Sequence, residues 1–254
     1  MRKIGQSQTA RFIFNCMTEK NIPILDSRLS LAASFVRDGA VVADVGTDHA
    51  YIPIYLLKTG KASAAIAADI NEGPLERARI NCSRYGVFEG ITFCLADGLS
   101  TLPLSELCVS DIVICGMGGE LIASIIDASD YVKNPAVRLI LQPMSQVSRL
   151  REYLAGAGFS TVCGGMTKAQ DKLYQCIVCR YDGTPRTLSP AALELGEENI
   201  NAERTPIFIE TLEALIKKTE RAIDGRRLGG LDTASLEGLL SELYEIKGKS
   251  NDCN

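Results

Sequence analysis

The sequence predicts an α/β fold: an open, mostly parallel sheet with helices on both faces, an antiparallel C-terminal edge and a small helical hairpin behind it. Three observations carry this. Short apolar runs recur every ~20–25 residues with helical spacing between them, as in successive βαβ units. The runs are apolar at nearly every position rather than alternating, as in strands covered on both faces. The last two runs follow one another with no helix between, which makes an antiparallel pair.

Taken in order, residues 1–25 do not fit the repeating pattern and read as an N-terminal extension, expected to be poorly ordered. From Asp26 the chain becomes regular. Leu29, Ala32, Ala33 and Val36 have helical spacing. "AVVADVG" is a buried strand ending at Asp44, and "HAYIPIYLLKTG" a helix closed by Gly60. "AAIAADI" is a second strand ending at Asp69, followed by a helix that opens on Pro74 and ends at Gly86. "ITFCLADG" and "DIVICGMGG" are the third and fourth strands, the latter running into a glycine-rich turn. After the helix "ELIASIIDAS" come the strand "VRLILQP", the helix "SQVSRLREYLAGAG" and the hairpin formed by "FSTVCGGMT" and "KLYQCIVCRYD". Beyond Gly183 the composition changes. Ser189-Pro190 is a helix cap and first turn. Two stripes follow, Phe208, Leu212, Leu215, Ile216 and Ile223, then Leu236, Leu239, Leu240, Leu243 and Ile246. They make an antiparallel helical hairpin. The expected domains are therefore 26–182 and 183–254.

Composition narrows the function. The 254 residues are 46% hydrophobic and 23% charged, with a net charge of −4, so a wholesale nucleic-acid-binding tail is excluded but a local basic face is not. No apolar run approaches the ~20 residues that span a bilayer. Nine cysteines lie mostly in apolar, strand-like stretches, and no secretory leader precedes them, so reduced cytoplasmic thiols are expected. Cys176 and Cys179 have CxxC spacing but no second pair or histidine near them, so no metal is expected.

Chemistry belongs at the carboxyl ends of the strands, where open parallel sheets bind ligands. Three successive strands end on an aspartate: Asp44, Asp69 and Asp97. One Asp-Gly pair would be only a turn, but three at consecutive strand ends point to a shared ligand. An acidic residue about 25 residues past the first strand's end suits a ribose diol. The first turn, "DVGTDHA", lacks GxGxxG, and its Asp44 and Asp48 would repel a pyrophosphate, so a nicotinamide dinucleotide is disfavoured. They suit a ligand carrying an ammonium or sulfonium group together with a ribose.

"DVGTDHAYIP", "ADINEGPL", "ADGL", "ICGMGGELI" and "LILQP" together resemble the bacterial tRNA (adenine(22)-N1)-methyltransferase family, from about Leu29 to Tyr181, and the hairpin tail resembles it too. The resemblance implies a Rossmann-like class I methyltransferase domain with a coiled-coil-like C-terminal domain. It implies S-adenosylmethionine as methyl donor and N1 of a tRNA adenine as target. Asp44 and Gly46 would line the methionine and ribose end of the donor. Asp69 would hold the ribose hydroxyls with Ile70 beside the adenine, and Asp97 would accept from the exocyclic amine while Gly98 offers its backbone. Met117 would contact the incoming base, with Gly116, counted with the donor site, and Gly118 and Gly119 allowing close backbone approach. Where the general methyltransferase pattern has more glycine, this chain has Asp48 and Ala50.

Asp48 is the expected counter-charge to the adenine as it becomes cationic, with the single histidine, His49, orienting it or meeting the base. Tyr51 and Tyr174 are candidate stacking residues. Arg28, Lys58, Lys61, Arg138, Arg149 and Arg151 are candidate tRNA contacts, as are Lys217, Lys218, Arg221, Arg226 and Arg227 in the tail. A monomer is expected. A methyltransferase acting on a small molecule or protein, and an RNA-binding protein without catalysis, are the alternatives.

Overall fold

The computed structural model describes residues 21–249, so residues 1–20 of the expected N-terminal extension, with Cys16, and Cys253 at the other end lie outside the described residues. These form two compact units, one through Ile114 and one from Cys115 onward.

In the first unit, the Asp26 carboxylate caps helix α1 (Ser27–Ser34) by accepting from the Arg28 and Leu29 N–H groups. Strand β1 (Ala40–Val45), helix α2 (Tyr51–Lys58), strand β2 (Ala62–Asp69), helix α3 (Glu72–Tyr85) and strand β3 (Ile91–Leu95) follow, then the first half of strand β4 (Asp111–Gly118). β1 pairs in parallel with β2 and β4, and β2 pairs in parallel with β3. β2 is rich in alanine because helices close over it: Ala67 packs with Ala50, Ile54, Ala78, Cys82 and Val87 from α2, α3 and their flanks. At the base of the sheet, Arg37 Nε donates to the fully buried Asp111 at 2.7 Å, and the Arg37 N–H donates to its other oxygen at 2.8 Å. The α3 helix begins at Glu72, so Pro74 sits within its first turn rather than opening it; Gly86 ends it at φ +71 as expected.

The second unit contains the end of β4, helix α4 (Gly119–Asp127), a 3₁₀ turn (Asp130–Lys133), strand β5 (Arg138–Ser145) and helix α5 (Val147–Gly156). Strands β6 (Phe159–Ala169) and β7 (Lys172–Tyr181) form the antiparallel hairpin, and β7 is antiparallel to β5. The hairpin turns on Gln170 and Asp171, both at positive φ (47° and 61°), the two-residue turn that matches strand twist. The strand order is β3-β2-β1-β4-β5-β7-β6, a seven-stranded mixed sheet with flanking helices. The glycine-rich stretch after "DIVIC" is not a free turn: β4 continues through Gly118 and α4 starts at Gly119.

The C-terminal region holds two short helices, α6 (Pro190–Leu195) and α7 (Glu197–Ile200), ahead of the long pair α8 (Pro206–Leu228) and α9 (Ala234–Gly248). Ser189 and Thr205 cap α6 and α8, each followed by proline at the first helical position. The stripes of the long pair close with Ala191 and Leu195 of α6 over one core, onto which Met166 of β6 packs. Glu198 of α7 reaches Arg151 of α5 at 2.5 Å, and Arg151 also donates to Gln175 Oε1 at 2.8 Å. With side chains 2% and 9% exposed, Arg151 and Glu198 are a buried pair. This corrects the assignment of Arg151 to RNA contact.

Removing one partner of a buried pair leaves an uncompensated charge, at about 3–5 kcal/mol. Glu198→Ala should therefore lower unfolding free energy by about that amount in urea titration, and Arg151→Met/Glu198→Leu should lose less than either single variant. A Glu198→Ala protein as stable as the parent would refute the pairing.

Candidate active site

β1 is apolar until its penultimate residue, so the sheet carries Asp44 to its carboxyl end inside the fold. The residue is only 6% exposed and has no ion-pair partner among the described residues. Burial pushes the Asp44 carboxyl from 3.8 up to about 6, and the Asp69 carboxylate adds to the shift. The adjacent Thr47 hydroxyl offsets part of it. Its geometry falls short of a formed hydrogen bond, and Thr47 Oγ1 remains a buried polar atom with no partner. The turn beneath is fixed: the Gly46 and Thr47 N–H groups both donate to the Ala68 carbonyl, at 2.8 and 2.9 Å. Gly46 has φ +80, and Ala50, which stands where a glycine is usual, also takes a left-handed conformation at φ 54. That position carries backbone strain on the order of 1–2 kcal/mol.

Asp69 ends β2, and its Oδ1 accepts from the Asn71 N–H at 2.9 Å. Ile70 beside it is 58% exposed, and Leu95, its neighbour at the end of β3, is 59% exposed. Asp97 is exposed on the following turn, where Gly98 has φ +66. The three aspartates of the strand ends, with Gly46, Ile70 and Gly98, are thus presented by adjacent strand ends β1, β2 and β3. Asp48 lies on the same turn as Thr47. Its Oδ2 is 3.2 Å from His49 Nε2, and its Oδ1 accepts from Arg77 of α3. The His49 ring stacks on Tyr51 with centroids 5.3 Å apart.

The other expected residues are placed elsewhere or have partners. Lys58 ends α2, and Lys61 precedes β2 and pairs with Asp38 at 3.4 Å, so both lie at the amino end of the strands, away from the three aspartates. Arg28 pairs with the capping Asp26 at 2.6 Å, and Arg149 pairs with Glu152 at 3.0 Å. Arg138 opens β5, and Tyr174 lies within β7 opposite Thr167. In the second unit, Gly116 has φ +82 with open space about its Cα, and Met117 is half-buried. Gly119 is set by packing: a Cβ there would clash with the Gln146 carbonyl oxygen, and one at Gly118 would meet Gln146 and Ser145 at 3.4 Å. Cys176 and Cys179 are buried in β7, with the Cys176 thiol pushed up to about 12 by burial. Among the described residues, no cluster of His, Cys, Asp or Glu is placed to hold a metal ion, and no helix is long and apolar enough to cross a membrane. Thr47, Arg77, Asn81 and Leu95 stand against the expected site residues, and the sequence pattern did not single them out. A long apolar residue directly before the Asp97 turn was the one available signal, for Leu95.

This sheet, with its acidic strand ends and its dinucleotide-incompatible first turn, defines a Rossmann-like methyltransferase, and a methyltransferase-domain family model matches residues 25–177. A tRNA (adenine(22)-N(1))-methyltransferase of Bacillus subtilis is 35% identical over 203 residues, covering 77% of this chain and 83% of that protein. A solved Streptococcus pneumoniae structure, described as a putative tRNA (m1A22) methyltransferase in complex with S-adenosyl-L-methionine, is 34% identical with a TM-score of 0.74. It covers 88% of this chain and 99% of that one. A Streptococcus agalactiae protein of the NADB-Rossmann superfamily matches at 32% identity and TM-score 0.76, over 88% and 97% of the two chains. The chain belongs to the tRNA (adenine(22)-N(1))-methyltransferase family.

Because folding raises the Asp44 pKa, the folded state holds that proton more tightly than the unfolded chain does. The ionised group therefore opposes folding above pH 6, by about 3 kcal/mol at most, and the penalty fades as pH falls through 6 towards 4. In the ligand-free protein Asp44→Asn should be more stable than the parent at pH 8, with the gap narrowing to near zero at pH 4. Denaturant titrations at the two pH values measure this; equal stabilities at pH 8 would contradict it.

Proposed function

We propose that this chain transfers a methyl group from S-adenosylmethionine to N1 of adenine 22 in tRNA, as a cytoplasmic monomer. One observation carries the donor assignment: a buried, unpaired carboxylate, Asp44, beside the partnerless hydroxyl of Thr47. A ligand bringing a positive charge and a hydrogen-bond donor satisfies both at once, and a pyrophosphate satisfies neither. The activity of the Bacillus subtilis relative supports tRNA as acceptor.

When bound, S-adenosylmethionine supplies an electrophilic methyl group on a sulfonium. In this reading Asp44 and Gly46 take the donor's methionine and ribose end. Asp69 has one oxygen occupied by Asn71 and accepts the ribose hydroxyls on the other. Ile70 and Leu95 offer apolar surface to the purine faces, Asp97 accepts from the exocyclic amine, and Gly98 presents its backbone. An unpaired adenine already has a lone pair on N1, so no general base is needed to expose it. The chain's work is to orient the base and exclude water, after the adenine has left its stack. Charge then develops on the adenine, and Asp48 stabilises it. Gly116 and Met117 receive the base. Residues 26–182 form the catalytic domain, and 183–254 extend the RNA footprint through Lys217, Lys218 and Arg221, exposed on α8.

The test is transfer from labelled donor to unmodified tRNA, followed by nucleoside analysis. N1-methyladenosine should form on the parent transcript and not on one with guanosine at position 22. Asp48→Asn should keep donor affinity while kcat falls by about ten- to hundredfold, the range for losing a charged contact made in the transition state. Label in another nucleoside, or none, would refute the assignment. A collapse of donor affinity in Asp48→Asn would move that residue into the donor pocket.

A further inference from the structure

The turn that carries Asp48 and His49 is gripped from α3 at two points. Arg77 and Asn81 are one helical turn apart, so they share a face. Arg77 Nη2 donates to Asp48 Oδ1, and Asn81 Nδ2 donates to the His49 carbonyl at 3.1 Å. His49 Nε2 lies 3.2 Å from the other Asp48 oxygen, and Tyr51 backs the His49 ring. The side chains of His49, Asp48 and Arg77 are 40%, 59% and 49% exposed. An ion pair this exposed adds little to stability. Its consequence is geometric: an aspartate that would otherwise sample several rotamers on an open turn is held by the guanidinium at Oδ1, with the His49 ring against its other side. Each oxygen still has a lone pair free to accept another hydrogen bond.

We propose that Arg77 is a positioning residue for methyl transfer, acting through Asp48. A guanidinium at the carboxylate fixes the direction of the negative charge before the acceptor base arrives, while Asn81 fixes the backbone of the next residue. The inference rests on the reading of Asp48 as counter-charge to the adenine. A direct grip on an RNA phosphate is the competing role for an arginine here, and the two differ in how Arg77 and Asp48 combine.

Steady-state kinetics, donor affinity and unfolding midpoints of Arg77→Met, Arg77→Lys, Asp48→Asn and Arg77→Met/Asp48→Asn separate them. Arg77→Met should lower kcat about tenfold or more, with donor affinity, tRNA KM and unfolding midpoint close to the parent. The double variant should be no slower than Asp48→Asn. Arg77→Lys should recover part of the loss, because an ammonium restores the charge but not the fork. Additive losses, or a raised tRNA KM with a flatter salt dependence, would overturn the inference and make Arg77 an RNA contact. An impaired Asp48→Asn beside an unimpaired Arg77→Met would overturn it alone. An unimpaired Asp48→Asn would overturn both the inference and the role given to Asp48.

Discussion

A carboxylate held out of water without a partner organises the first unit. Asp44 is buried because β1 is flanked by β2 and β4, with apolar side chains along its length. The turn that follows is pinned by two N–H groups on one carbonyl, that of Ala68. The left-handed Ala50 then starts α2 directly beneath that turn. Folding therefore works against the ionised form of Asp44, and in the proposed reading that opposition makes the site select a cation. Binding energy that would be small for an exposed carboxylate becomes large when the alternative is a lone buried charge.

Around this point the site is built from strand ends in sequence. The parallel register places Asp69 one strand over, with Leu95 as its partner on β3. Polar groups at these ends and exposed, apolar Ile70 and Leu95 beside them give a surface that is acidic on one side and apolar on the other. The second unit uses buried charge differently. Arg151 and Glu198 compensate one another, so that pair joins α5 to the C-terminal helices.

The parts of the fold set by local periodicity were readable in the sequence. The strands, the antiparallel edge, the helical hairpin and the acidic strand ends all follow from apolar runs and their punctuation. What was not readable depends on which side chains meet across elements. Arg151 reads as a surface arginine because nothing local reveals that Glu198, 47 positions on, neutralises it in the interior. Arg77 and Asn81 read as ordinary polar positions of a helix, since their partners sit on a turn that only the fold brings near. Glycines 118 and 119 suggested a turn open to substrate, whereas Gly119 is demanded by the Gln146 carbonyl against it. Thr47 carries no signal at all until burial removes its water.

The most direct test is the affinity of S-adenosylmethionine as a function of pH, measured by calorimetry for the parent and for Asp44→Asn between pH 5 and 7. If the donor's charge is held by Asp44, the parent must release a proton to bind below pH 6, the region to which burial moves this carboxyl. Affinity should then fall by up to about tenfold per pH unit below that point, while Asp44→Asn binds weakly with no such dependence. A parent affinity that is flat from pH 5 to 7, or an Asp44→Asn protein that binds as tightly as the parent, would contradict it.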